Sequence, residues 1–184
     1  MADDSAQIRR ARQGDLAAIV ALFADDEAST PAALAPAGDV GPGAASTRVP
    51  PAAQPSSTAP SASEHGSLGA GQLEAFAAID GDPNNQVYVA EREGKVVGTF
   101  QLTFIRQLSY GGCLVAQVES VHVHSTQRSH GIGRVMMEYA IAEARLRGAL
   151  RIQLTSNVRR TRAHEFYERL GFRASHKGMK LYLR

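Results

Sequence analysis

Between Cys113 and Leu146 the apolar pattern changes period once, and the change falls on a junction rich in glycine. Cys113–Val123 reads as a strand, whereas Ile132, Val135, Met136, Tyr139 and Ala140 recur as one face of a helix. The two are joined by His124-Ser-Thr-Gln-Arg-Ser-His130, with Arg128-x-x-Gly131-x-Gly133 opening the helix. A strand that passes through a short loop into a helix start aims unpaired backbone N–H groups and the helix dipole at that loop. Phosphate is favoured there, and glycine lets it approach a backbone that carries no Cβ. The pattern is not a Walker loop, since no Gly-Lys-Ser/Thr follows, and it is not Gly-x-Gly-x-x-Gly.

The flanking elements narrow the fold further. Gln7–Ala11 reads as a short strand, and Asp15 as the N-cap of a helix carrying Leu16, Ile19, Val20 and Phe23 on one face. Leu73, Phe76 and Ala77 suggest a second short helix, stopped by Asp80-Gly-Asp-Pro83. Strands at Gln86–Glu91, Lys95–Arg106 and Cys113–Val123 follow, with turns at Arg92-Glu-Gly94 and Ser109-Tyr-Gly-Gly112, so an antiparallel meander is expected. After the glycine-initiated helix, closed by Gly148, come a strand at Arg151–Thr155, a helix at Ala163–Leu170 and two short terminal strands, Phe172–Ser175 and Lys180–Leu183. This order lacks regular βαβ repetition and predicts an α+β fold.

Composition matters at one place. Seven of the eight prolines lie between Pro31 and Pro60, in a stretch to Ala62 made almost wholly of Ala, Pro, Ser, Gly and Thr. Such a segment cannot bury enough apolar surface to offset the entropy of ordering it, so a flexible insert at about 28–68 is expected within one domain spanning 1–184. Cys113 is the single cysteine, which excludes a disulfide framework and a cysteine-rich zinc site. The acidic N-terminus lacks a secretory pattern, and no apolar run approaches bilayer length; a soluble cytoplasmic protein with no membrane partner is expected. Residues 128–184 carry 13 Arg or Lys against 4 Glu, which calls for an anionic partner. The charges are scattered and no RNA-binding aromatic signature accompanies them, so a phosphorylated small ligand is expected rather than nucleic acid.

With Arg128-x-x-Gly-x-Gly and a second signature, Ala163-His-Glu-Phe-Tyr-Glu-Arg-Leu-Gly-Phe172, the chain resembles the GNAT superfamily of acyl-CoA-dependent N-acetyltransferases. Everything outside the insert takes part in the resemblance. It implies a central mixed, mostly antiparallel twisted sheet of about seven strands flanked by about four helices, bulged in the fourth strand and splayed between the fourth and fifth. It also implies acetyl-CoA as cosubstrate and no metal. Arg128, Ser129, His130, Gly131, Ile132 and Gly133, with Arg134 after them, would hold the coenzyme pyrophosphate. Val121, His122 and Val123 would run along the pantetheine arm.

The same resemblance supplies helpers for the chemistry. An amine arrives as an ammonium of pKa about 10 and must lose a proton before it attacks a thioester. Glu119 stands where relatives carry the carboxylate base, and Tyr167 where they carry the acid that protonates the departing thiolate. A backbone N–H near Val123 would meet the oxyanion. Relatives commonly carry Asn seven residues before the tyrosine, to contact the pantetheine; here that position is Arg160. Either Asn157 takes its place, or Arg159, Arg160 and Arg162 meet coenzyme phosphate or the acceptor. His122 and His124, two apart on one strand face, are alternative bases. The implied partner is a small-molecule or peptide amine, and a homodimer is compatible with the family. A non-catalytic acyl-CoA-binding or sensor module on the same fold is the rival reading, and a nucleic-acid-associated protein using the basic C-terminal part is a second.

Overall fold

Alternating side chains along three neighbouring strands set the layers of this chain. In β2 (Asn85–Arg92) Tyr88 and Ala90 lie on one face and Val89 on the other. In β3 (Lys95–Arg106) Phe100, Leu102 and Phe104 share the face of Tyr88, and Ala116 and Val118 of β4 (Leu114–Val123) extend it. The helix α4 (Ile132–Leu146) covers that face with Ile132, Met136, Met137, Ala140 and Ala144. Across the sheet, Leu16 and Ile19 of α1 (Leu16–Ser29) and Phe76 of α2 (Ala70–Asp80) pack on Val89. The architecture is that of a computed structural model, which describes residues 6–29 and 68–181. The insert expected at about 28–68 therefore lies almost wholly outside the described residues, as does the end of the last expected strand.

Sheet order is β1-β2-β3-β4-β5, with β1 at Gln7–Arg10 and β5 at Arg151–Leu154. The first four strands pair antiparallel and β5 lies parallel to β4. A parallel neighbour needs a crossover, which α4 provides. Arg9 joins β1 to its surroundings through hydrogen bonds to both oxygens of Asp15 and to Glu91 of β2. Among the described residues no helix is long and apolar enough to cross a membrane.

Four local expectations change. The described residues hold five strands rather than about seven: 172–181 form no strand, although Phe172 at the start of that segment packs on the core. Asp15 is not the N-cap of α1. It closes a 3-10 turn at Gln13–Asp15 and accepts from the Arg12 N–H at 2.7 Å, so the chain enters α1 without a break. The Ser109–Gly112 turn is a single helical turn, α3, whose Tyr110, Gly111 and Gly112 have positive φ. Finally, α5 starts at Thr161, two residues earlier than expected, and ends at Arg169.

Gly98 of β3 is required by packing rather than by its backbone conformation. A Cβ there would stand 2.8 Å from the Met136 sulfur and 3.1 Å from the His122 carbonyl oxygen, with Met136 fully buried in a dense core. Gly98→Ala is expected to cost about 1–3 kcal/mol of unfolding free energy, seen as a lower urea midpoint at unchanged slope.

Candidate active site

The pairing of β4 with β5 ends at Val118 opposite Leu154. Beyond it β4 continues to Val123 while the chain after β5 turns through Thr155, Ser156 and Asn157 toward α5. The two strands therefore part, and the edge of β4 past Val118 has no β5 partner. Facing β3, the register slips by one residue: Gln101 pairs with Glu119 but Thr99 pairs with His122. The extra residue is accommodated at Ser120, which adopts a left-handed φ of 51°. This bulge re-aims the side chains that follow it.

A cleft of about 180 Å³ opens in the wedge. Glu119, Ser120, Val121 and His122 of β4 line it on one side, and Asn157 and Arg160 with Tyr167 of α5 on the other. Residues 48 positions apart in sequence thus share one cavity. Burial pushes the Tyr167 phenol above its ordinary pKa, and the charge of Arg160 pulls weakly the other way. The phenol stays protonated at neutral pH and can donate. Its ring packs against Phe166 and Phe172, with centroids 5.1 and 5.8 Å away. Asn157 and Arg160 both line the cleft, so the alternatives left open by the sequence stand side by side; the Asn157 side chain accepts from the Arg159 N–H at 3.0 Å.

The loop from Ser125 to Gly131 lies at the far end of the wedge and is held from three directions. Asp25 of α1 accepts from both the N–H and the hydroxyl of Ser125, each at 2.7 Å, and lies 3.8 Å from the Arg128 guanidinium. Arg92 of β2 donates to Gln127 at 3.2 Å, and Arg128 Nε donates back to the Val123 carbonyl at 3.0 Å. Ser129 and Gly131 take left-handed φ values of 67° and 81°, and Gly131 is the N-cap of α4. Next to it, Gly133 sits under Phe166, whose ring would touch a Cβ at 3.5 Å, so the loop and α5 meet closely. Ser129 and His130 are exposed, Ile132 is buried in the core, and Arg134 is tied to Glu138 at 2.7 Å on the outer face of α4.

Two further points differ from the sequence reading. His124 does not share a strand face with His122: β4 ends at Val123, and the His124 ring accepts from the Thr126 N–H to cap the Ser125–Gln127 turn. His122 instead packs edge-on against Phe23 of α1, at 4.8 Å between centroids. Asp25 was missed altogether. The available signal was a carboxylate near the C-terminal end of a helix, where the dipole disfavours it. Burial alone would raise the Asp25 pKa, yet the Ser125 hydrogen bonds and the nearby His124 and Arg128 hold it below the ordinary value.

That arrangement gives a signed prediction. A depressed carboxyl contributes stability that is fully present above the unfolded pKa of about 4 and is lost as pH falls through the lower folded value. Asp25→Asn should lower unfolding free energy by about 1.5–3 kcal/mol at pH 7, and the gap from the parent should narrow on acidification below pH 4 in urea titrations.

Comparison with known proteins adds the following. The model of the acetyltransferase (GNAT) family matches residues 56–172. An aminoalkylphosphonate N-acetyltransferase of Salmonella typhimurium is 34% identical over 103 residues, 56% of this chain and 66% of that protein. A glucosamine 6-phosphate N-acetyltransferase of Trypanosoma brucei brucei is 30% identical over 96 residues, 52% of this chain and 63% of that one. The chain thus spans just under two thirds of the length of these curated relatives. A crystal structure described as a transcriptional regulator from Bacillus halodurans C-125 superposes with a TM-score of 0.74 at 32% identity, covering 97% of this chain and 99% of the other.

Proposed function

Because the chain belongs to the GNAT acetyltransferase family, we propose that it is an enzyme that moves an acetyl group from acetyl-CoA to a primary amine by direct attack in a ternary complex. The observation that carries this reading is the wedge between β4 and β5, where Glu119 and Tyr167 line the same cleft. The residues suit the coenzyme. The open edge of β4 at Val121–Val123 offers backbone groups to the amides of a pantetheine arm, and the Cβ-free, left-handed Gly131 leaves room for a pyrophosphate at the start of α4. Asn157 and Arg160 line the same cleft and would border the arm.

When bound, acetyl-CoA supplies an acyl group activated as a thioester. Glu119 takes the proton from the incoming ammonium, freeing the nitrogen lone pair. The N–C bond forms and the C–S bond breaks. Tyr167, held protonated by burial, gives its proton to the departing sulfur and is restored by the second proton that the acylated nitrogen sheds. The products are the N-acetyl amide, the free thiol of coenzyme A and one proton. A single domain over 1–184, a reducing cytoplasmic setting and an amine acceptor without nucleic acid complete the proposal, and an acceptor panel should hold phosphonate and sugar-phosphate amines, after the names of the two curated relatives, beside amines with uncharged bodies.

The test is calorimetry with acetyl-CoA together with thiol release across a panel of amines. Binding in the micromolar range and thiol release with at least one amine are expected; neither binding nor release refutes the proposal. A second reading, an acyl-CoA sensor without turnover, draws on the likeness to a chain described as a transcriptional regulator. Binding without release, indifferent to substitution of Glu119, selects it.

A further inference from the structure

On the α1 and α2 side of the sheet, a second pocket of about 160 Å³ meets the coenzyme cleft at Ser120, the bulge residue that lines both. Its walls are apolar: Ile19, Val20 and Phe23 from α1, Phe76 and Ile79 from α2, and Val87 from β2. Four polar residues also reach it, and three of them have their side chains engaged within the protein. Gln72 accepts from the Gly69 N–H at 2.6 Å, the Thr99 hydroxyl donates to the Tyr88 carbonyl at 2.9 Å, and Gln101 donates to Asn85 at 2.8 Å. Among the described residues lining this pocket there is no Lys, Arg or His. The carboxylate nearest along the chain to the junction is Glu119, next to Ser120 and on the cleft side.

We infer that the acceptor is a small amine whose body is an apolar ring or a compact branched alkyl group, with the ammonium as its only charge. This rests on the reading of the β4–β5 cleft as the acetyl-transfer site. An anionic or many-hydroxylated body would shed its water here and find no cation and few polar partners in the described lining. An apolar body gains by leaving water in proportion to the surface buried, and a dry cavity of about 150 Å³ is known to take a benzene ring. Such an amine, entering past Ser120 with its nitrogen foremost, brings the ammonium to Glu119 and the nitrogen to the side of the cleft that faces Tyr167.

Two amines with the same two-carbon arm separate the possibilities: 2-phenylethylamine and 2-aminoethylphosphonate. With acetyl-CoA present, kcat/KM for the phenyl compound, followed by thiol release, is expected to exceed that for the phosphonate by about 100-fold. Ala75→Leu, an exposed substitution on α2 at the pocket rim that suits a helix, should raise KM for 2-phenylethylamine about tenfold and leave the calorimetric acetyl-CoA Kd unchanged. An equal or reversed preference, with transfer intact, overturns the acceptor assignment and spares the acetyltransferase reading. Turnover of 2-phenylethylamine that is insensitive to Ala75→Leu does the same. Acetyl-CoA bound without turnover of either amine overturns the assignment through its premise, and no acetyl-CoA binding removes both.

Discussion

Tyr167→Phe is expected to lower kcat about 100-fold while the acetyl-CoA Kd stays within about twofold. The substitution removes one oxygen and keeps the ring that packs between Phe166 and Phe172, so the fold loses little. What it removes is the proton donor. Coenzyme A leaves as a thiolate of parent pKa near 8.5, and a positioned acid is worth roughly 10²–10⁴ in rate. Burial raises the phenol, so the parent enzyme should hold its activity through neutral pH and lose it only when alkali strips the Tyr167 proton. The Phe variant should lack that alkaline limb. Steady-state thiol release across pH, paired with calorimetry, checks both parts. A parallel collapse of kcat and cofactor affinity would mean that Tyr167 only packs.

Glu119→Gln should lower kcat/KM for the amine by about 10²–10³-fold at pH 7. Glu119 is exposed in the cleft at the strand bulge, so exchange for an isosteric amide leaves the β4 register in place. Without the carboxylate, only the small fraction of amine already deprotonated reacts. That fraction grows tenfold per pH unit up to the amine pKa of about 10, so the variant's log kcat/KM should climb with unit slope across pH 7–9. The parent should be flat there by comparison. A variant that keeps the parent's rate and profile would remove Glu119 from the chemistry and return attention to His122, which lines the same cleft.

Much of the site was readable because it is built from contiguous residues. The strand–loop–glycine–helix run from Val121 to Gly133 needs no distant contact to be recognised, since one backbone path creates both the amide-rich helix start and the room for an anion. The layering was readable for a similar reason: a period of two in β2, β3 and β4 and of 3.6 in α4 marks which faces must meet. Element ends were less so. Asp15 has the residue type of a cap, yet its neighbours Arg9 and Arg12 draw it into a turn that precedes the helix. Nothing local in the strand Lys95–Arg106 sets Gly98 apart; the need for glycine there comes from Met136 and the His122 carbonyl, which lie far along the chain.

The residues that only three dimensions reveal are those whose role depends on partners far along the chain. Asp25 and Ser125 are 100 residues apart, and nothing in either neighbourhood names the other. The bulge at Ser120 is a property of the pairing between β3 and β4, because it is a count of residues on two strands at once. By itself the sequence determined the layers, the glycine-bearing strand-to-helix junction and the family, since local periodicity and backbone freedom are written residue by residue. The tertiary structure decided that β4 and β5 part after Val118, that Glu119 and Tyr167 share one cleft, and that the adjoining pocket is apolar. Those features arise where separate elements pack, and packing is set by which surfaces can bury one another rather than by any stretch of chain alone.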